Sequence, residues 1–277
     1  MGNNHLSGVL PTEIGVMSKL TYLDLSNNKL LSVIPTEIGF LKSLLTLDLQ
    51  VNMMTGSLPM ELGNLSQLTH LSIAASSSQG TLPREIGKLR SLVRLHLPNN
   101  KMTGSLPSEL GQLSSFTSLD ISFNQFKRTI PTEFGSLTRL LIFNTEVNQL
   151  SGSLPSELGY LNMMENCSLY ANYISGTIPT ELGNLAHVSV FSVFTNNMTG
   201  PIPSELGRLT SLTYLSIEEN SITGTIPTEM GMLSGLQYFN LSLNHLTGTI
   251  PATLGLINVL CKYSCRYCQS ERHSLFV

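Results

Sequence analysis

The sequence predicts an α/β solenoid, a column of short units that each contribute one strand and one helical turn. The first observation is a series of eleven prolines at a constant interval of 24 residues, from Pro11 to Pro251. The second is that Leu or Ile precedes each of these prolines, and that a glycine follows each of them four residues later. A fixed period of this length indicates a repeat architecture, because one unit cannot bury its own apolar face and must stack on the next.

The phrase around each proline predicts a short helical turn. GSLPSELG stands at 104–111 and again, letter for letter, at 152–159. Proline presets the φ of a first helical position, and glutamate two residues later lies in the positive first turn. Ten of the eleven copies carry that glutamate, with Thr253 as the exception. The glycine four residues after the proline then ends the turn.

The segment after the turn predicts a short strand. Apolar residues recur six, nine, twelve and fourteen positions after the proline, as in Leu209, Leu212, Leu215 and Ile217. The last two alternate with polar residues, which is the pattern of a half-buried strand. Each unit therefore supplies one strand.

An asparagine column closes each unit. Asparagine lies seventeen residues after the proline in nine of the eleven units. Ser76 holds this position in the third unit and Cys268 in the last. The column consists of Asn28, Asn52, Asn100, Asn124, Asn148, Asn172, Asn196, Asn220 and Asn244.

These residues resemble the plant-type leucine-rich repeat, whose unit is L-x-x-L-x-L-x-x-N-x-L-x-G-x-I-P. The resemblance runs from about Leu6 to Leu260. It implies a right-handed solenoid with one parallel β-strand per repeat on a concave side and short helical or 3₁₀ turns on the convex side. It also implies that the asparagine amides bond backbone groups of their own and the neighbouring repeat. We therefore assign residues 1–268 to a leucine-rich repeat domain with a truncated first repeat, and 269–277 to a non-repeat tail.

The ends and one internal unit depart from the pattern. The chain begins inside a repeat without a capping segment or a secretory signal, so we expect a fragment of a longer protein that self-associates through its first repeat. The segment AASSSQG at 74–80 predicts a loosened unit. Cys265 and Cys268 form a C-x-x-C in the last unit. The resemblance implies a terminal disulfide there, and two buried thiols are the alternative.

Several classes of function are excluded by composition and motifs. Charged residues make up 12 % of the chain and its formal net charge is −3, so no basic surface is available for nucleic acid. No apolar run reaches the length of a transmembrane helix. No nucleophile elbow, P-loop, zinc-protease or kinase signature is present. The histidines lack ligand spacing, so we expect no metal, no cofactor and no enzymatic activity.

We predict that the variable strand face binds a protein or peptide partner. Its outward positions lie eleven, thirteen, fifteen and sixteen residues after the proline, and they change from basic-leaning to apolar and aromatic to acidic along the chain. Tyr170 and Phe194 are the predicted anchors, with Arg94 and Glu218 fixing polarity. Neutral drift of exposed positions is the alternative. The predicted binding residues are Arg94, His96, Phe123, Ile142, Val147, Tyr170, Val190, Phe194, Tyr214 and Glu218.

The resemblance implies a receptor-like or signalling protein that is extracellular or at the cell surface in its intact form, with an intracellular scaffold as the alternative. A second class of function is a structural or surface-adsorbing protein. Two residues before the proline most repeats carry Ser or Thr, and such a ladder could face polysaccharide, mineral or ice. The ladder consists of Ser57, Thr81, Ser105, Thr129, Ser153, Thr177, Thr225 and Thr249.

Overall fold

The computed structural model describes residues 1–31 and 33–257. Within them the 24-residue units stack as parallel strands and short 3₁₀ turns, which confirms the predicted leucine-rich repeat solenoid. The predicted cysteine pair, Cys265 and Cys268, and the predicted tail at 269–277 lie outside the described residues.

The predicted strands form one sheet, here called the long sheet. Every strand pairs in parallel with the strand 24 residues further along, as Leu95 does with Leu119. The constant register follows from the constant repeat length, because one residue of slip would turn the apolar side chains out of the core. In the described residues its ten strands are Tyr22–Asp24, Thr46–Asp48, His70–Ser72, Arg94–His96, Ser118–Asp120, Ile142–Asn144, Asn166–Ser168, Val190–Ser192, Tyr214–Ser216 and Tyr238–Asn240.

Short 3₁₀ helices form the opposite edge of the units. The proline precedes each of them in an extended conformation, with φ −65° and ψ 131° at Pro155. The prediction that proline occupies the first helical position is therefore wrong by one residue. The helices in the described part of the chain are Thr12–Val16, Thr36–Phe40, Met60–Asn64, Arg84–Lys88, Ser108–Gln112, Thr132–Ser136, Ser156–Tyr160, Thr180–Asn184, Ser204–Arg208, Thr228–Met232 and Ala252–Leu256.

The repeated glycine is required by the contact between neighbouring 3₁₀ helices. A Cβ atom placed on Gly183 would lie 2.5 Å from the carbonyl oxygen of Glu205 and 2.7 Å from its Cβ atom. Carbon and oxygen atoms do not approach so closely without displacement, so only glycine fits. The sequence pattern predicts that this glycine ends a helical turn, whereas Gly183 lies inside the 3₁₀ helix and allows the next unit to pack.

A second parallel sheet, which the sequence analysis did not predict, runs along another side of the units. It uses the residues between the asparagine column and the next proline. Most of its strands contain a residue with positive φ, which is a glycine, as at Gly176 with φ 77°, except in Gln125–Arg128, where Arg128 has φ 70°. In the described residues it consists of a two-stranded part, Ser7–Gly8 and Lys29–Leu30, and an eight-stranded part, Gln79–Thr81, Lys101–Gly104, Gln125–Arg128, Gln149–Ser153, Tyr173–Gly176, Asn197–Pro201, Ser221–Gly224 and His245–Leu246.

Leucines and phenylalanines between the two sheets and the 3₁₀ helices form one continuous core. Phe134 and Phe143 are fully buried and meet edge to face, with ring centroids 6.0 Å apart. Successive units contact mainly their neighbours, so the core extends along the stack without a centre.

The asparagine column ties neighbouring units together. The Oδ1 atom of Asn148 accepts a hydrogen bond from the backbone N–H of Phe126 at 2.9 Å. Its Nδ2 donates to the carbonyl oxygens of Ile121 and Thr145 at 3.0 and 3.1 Å. The side chain is only 7 % exposed, so these bonds satisfy polar groups that water does not reach.

The second sheet breaks where the asparagine column breaks. Elsewhere each asparagine accepts from the backbone N–H 22 residues earlier, as Asn124 does from Met102. The residue that corresponds to Met102 for Ser76 is Met54, and residues 53–56 form no strand. The Ser76 hydroxyl is buried without a hydrogen-bond partner. A hydroxyl is too short to replace the amide, which accounts for the gap.

We expect Ser76→Asn to stabilise the protein by about 1–2 kcal/mol, since the amide restores several buried hydrogen bonds. Urea-induced unfolding followed by circular dichroism measures the change. Ser77→Asn is the matched control, because its side chain lies one position outside the column, and it should leave the midpoint unchanged. An equal midpoint for the Ser76→Asn variant and the parent protein would contradict this explanation of the gap.

Candidate functional site

Strand alternation determines which side chains the long sheet displays. Phe191 and Val193 enter the core, so Val190, Ser192 and Phe194 face outward. The residue sixteen positions after the proline turns the chain away from the sheet in a left-handed conformation, with φ 52° at both Phe123 and Val147. The outward residues of successive units therefore form columns that run along the solenoid.

Two aromatic pairs stack on this face. The rings of Tyr170 and Phe194 lie with their centroids 4.3 Å apart and their planes 8° from parallel. Tyr214 and Tyr238 stack in the same way, at 4.3 Å and 5°. The sequence analysis expected Tyr170 and Phe194 to be neighbours, but the parallel stacking was not predicted. Each pair is an ordered apolar feature of this face.

Glutamates flank the first aromatic pair. Glu146, Tyr170, Phe194 and Glu218 are successive residues of one column. The Ser168 hydroxyl donates to Glu146 at 2.6 Å, and the Ser216 hydroxyl donates to Glu218. Both carboxylates are thereby held in place. Glu146, which was absent from the predicted site, belongs to it by position.

Electrostatics couple Tyr170 to this column. Partial burial raises the pKa of the Tyr170 phenol, and the negative charge of Glu146 raises it further. The phenol therefore remains a neutral hydrogen-bond donor at physiological pH.

Apolar side chains adjoin the aromatic pairs. Ile142, Val190 and Tyr214 lie in one column, with Asn166 between Ile142 and Val190. Ile142 is 37 % exposed and Phe123 is 42 % exposed. The structure thus brings together the predicted residues from Phe123 to Glu218 on adjacent units.

The N-terminal part of the face is less basic than the sequence analysis expected. Arg94 and His96 share a shallow open depression with His70 and Asp48. Burial lowers the pKa values of His70 and His96, so both imidazoles are mainly neutral near pH 7. Burial raises the pKa of Asp48, and the nearby carboxylate of Asp24 raises it further. Arg94 is separated from the aromatic pairs by two units and does not join them.

The other reactive side chains of the described residues do not form a site. Burial raises the pKa of the Cys167 thiol to about 12, so it is not a nucleophile at neutral pH. No group of three or more His, Cys, Asp or Glu side chains within residues 1–31 and 33–257 is arranged to hold a metal ion. Over the same range, no helix has the length and hydropathy to cross a bilayer.

Comparison with protein families gives two matches. A model of a leucine-rich repeat region matches residues 3–103. A model of the single leucine-rich repeat matches residues 115–137, 211–233 and 235–256. No curated protein sequence matches the chain.

Solved structures provide further similarity. The ectodomain of the Arabidopsis receptor kinase HAESA, in complex with an extended IDA peptide hormone, is 32 % identical with a TM-score of 0.86; the match covers 95 % of this chain and 46 % of that one. A leucine-rich repeat protein of Leptospira interrogans is 36 % identical with a TM-score of 0.77, covering 95 % and 64 %. A plant ice-binding protein is 26 % identical with a TM-score of 0.70, covering 84 % and 76 %. The chain spans less than half the length of the HAESA ectodomain.

Proposed function

Because the chain belongs to the leucine-rich repeat family, with repeats of the plant type, we propose that it is a non-enzymatic recognition module that binds a peptide or protein partner on its long sheet. The observation that carries the proposal is the stacked pair of Tyr170 and Phe194 with a glutamate on each side. The similarity to a peptide-hormone receptor ectodomain supports it, and suggests a place in a receptor-like or signalling protein.

The stacked rings are preorganised for binding. Aromatic residues dominate the energetics of many interfaces because they bury much area with few rotatable bonds. Here the stack already fixes both rings, so they lose little side-chain entropy when a partner binds. The sheet beneath them is tied through backbone hydrogen bonds along its whole length, and the face is open and long enough for an extended chain.

Selection of peptides from a random display library on the immobilised protein tests the proposal. We expect enriched peptides to lose about 100-fold in affinity when Tyr170→Ala and Phe194→Ala are combined, which corresponds to roughly 2–3 kcal/mol. Fluorescence anisotropy of the labelled peptides measures the loss.

The matched control removes two exposed aromatic rings elsewhere. Tyr160 and Tyr173 are 61 % and 58 % exposed and lie on a 3₁₀ helix and on the second sheet. Tyr160→Ala combined with Tyr173→Ala should leave the affinity within a factor of about two. Failure to enrich any peptide, or equal affinity in both double variants, would overturn the proposed function.

A surface-adsorbing function is the second candidate, and the second sheet favours it specifically. The second sheet carries two columns of hydroxyl groups where the sequence analysis considered one. Thr223 and Thr225 lie on either side of Gly224, and Thr247 and Thr249 repeat this arrangement in the next unit. Residues such as Lys127 and Pro201 interrupt the columns, so at most two successive units carry a hydroxyl in both of them.

The ice-binding relative gives this candidate a direct assay. Adsorption through the hydroxyl columns predicts inhibition of ice recrystallisation that disappears in Thr223→Tyr with Thr225→Tyr. No inhibition by the parent protein, together with no retention on insoluble polysaccharide, would remove the candidate.

A further inference from the structure

The long-sheet face carries an excess of carboxylates. In the described part of the chain, the positions from ten to sixteen residues after the proline contain one lysine or arginine, Arg94. The ion pair found among the described residues, Arg84 with Glu85, lies away from this face. His96 lies near two carboxylates of the face and the N-terminal amine near one, but within the described residues none of these carboxylates forms an ion pair. The carboxylates of the face are Asp24, Asp48, Asp120, Glu146, Glu165, Glu218 and Glu219.

The aromatic stack and its flanking glutamates together suit a cation. Successive units are about 4.8 Å apart, so Glu146 and Glu218 lie about 14 Å apart with both rings between them. Because the rings are parallel, the outer face of Tyr170 points towards the unit of Glu146 and that of Phe194 towards the unit of Glu218. A cation on either ring face gains a cation–π contact and has a carboxylate within reach.

An unpartnered buried hydroxyl lies beside the stack. Ser192 is 3 % exposed, points to the long-sheet face, and its Oγ atom has no hydrogen-bond partner. The Oδ1 atoms of Asn144 and Asn166, on the two preceding units, are also buried without a partner. Buried polar atoms of folded proteins are nearly always hydrogen-bonded. The two amide oxygens accept hydrogen bonds and the hydroxyl can accept one as well, so a ligand that brings N–H groups would satisfy all three atoms.

From these observations we propose that the face around the Tyr170–Phe194 stack binds a basic peptide segment, with an arginine or lysine side chain lying on the stack between Glu146 and Glu218. The inference rests on the proposed function and names the chemistry of its partner. Arginine fits best, because its planar guanidinium stacks on rings and carries five donors, whereas lysine carries three. An acidic segment would place like charges beside Glu146 and Glu218.

The peptides from the display selection test this proposal. We expect those whose binding needs Tyr170 and Phe194 to contain arginine or lysine. Replacement of arginine by citrulline keeps the shape and removes the charge, and it should weaken binding on the order of tenfold. The dissociation constant should also rise between 50 mM and 500 mM salt, since exposed charges are screened.

Variants on the protein side complete the test. Glu146→Gln combined with Glu218→Gln should weaken the arginine peptide on the order of tenfold or more and leave the citrulline peptide unchanged. Glu133→Gln, on an exposed 3₁₀ helix, is the control and should leave both affinities unchanged. Circular dichroism of each variant confirms that the fold is retained.

The failures of the two proposals are distinguishable. Peptides that bind independently of Tyr170 and Phe194 overturn the proposed function. Peptides that need both rings but contain no basic residue, or that lose nothing on citrulline replacement, overturn the basic-segment inference alone. Equal affinity of an arginine peptide for the parent protein and for the glutamate double variant would do the same.

Discussion

Asn148→Ala is expected to lower the free energy of unfolding by about 3 kcal/mol, because one buried side chain serves several backbone groups. Its removal leaves the backbone N–H of Phe126 without its acceptor. The carbonyl oxygens of Ile121 and Thr145 lose one of two amide donors each, because Asn124 and Asn172 still donate to them. The unpaired N–H costs about 1–3 kcal/mol, each lost bond to a carbonyl oxygen costs about 0.5–1.5 kcal/mol, and partial access of water to the cavity reduces the sum.

Urea-induced unfolding measures this loss, with Asn162→Ala as the matched control. Asn162 is exposed, so the control should change the stability by less than about 0.5 kcal/mol. A loss below about 1 kcal/mol for Asn148→Ala would mean that the column does not couple the units as described.

Gly183→Ala is expected to destabilise the protein by about 2–4 kcal/mol. The added Cβ would lie 2.5 Å from the carbonyl oxygen of Glu205, which is backbone and cannot rotate away. The neighbouring 3₁₀ helices must therefore separate. Since units in such an array are coupled through their neighbours, we also expect unfolding to split into separate transitions for the two halves.

The chain offers a close control for this variant. Gly255 holds the same place in Ala252–Leu256, the last 3₁₀ helix of the described residues, and a Cβ atom placed there would meet no atom of the described residues within 4 Å. Gly255→Ala should be neutral or slightly stabilising, because alanine restricts the unfolded chain more than glycine does. Calorimetric unfolding compares the two variants. Similar unfolding curves for the two variants would show that helix propensity, and not the contact between units, explains why glycine recurs at this position.

The periodic part of the fold could be predicted from the sequence because each unit repeats the same local pattern. Leu209, Leu212 and Leu215 occupy fixed places after the proline, and the structure buries each of them. A single unit is ambiguous, whereas eleven copies in one register leave one arrangement that buries all the leucines.

The second sheet could not be predicted in this way. Its strands are short, and most of them, such as Tyr173–Gly176, contain a glycine with positive φ, so locally they resemble a turn. Hydrogen bonds between neighbouring units hold them extended, including the bond from Ile174 N–H to Asn196. Such bonds depend on stacking and leave no separate signal in one unit. The gap at residues 53–56 shows the same dependence.

The outward columns of the candidate site follow from strand alternation, and the sequence analysis identified Tyr170, Phe194 and Glu218 on that basis. The stacking angle of the rings and the burial of Ser192 depend on side-chain packing between units. The neutral state of His96 has the same origin, because partial burial lowers its pKa. These properties depend on three-dimensional packing and could not be predicted from the sequence.

The most direct test of the account is an amide NMR titration of the protein with a peptide selected on it. Binding on the long sheet predicts shifts in Asn166–Ser168, Val190–Ser192 and the segments that follow them. The strands Tyr173–Gly176 and Asn197–Pro201 belong to the same units but to the second sheet, and they should stay unchanged. Shifts concentrated in the second sheet, with the long sheet unaffected, would contradict the account.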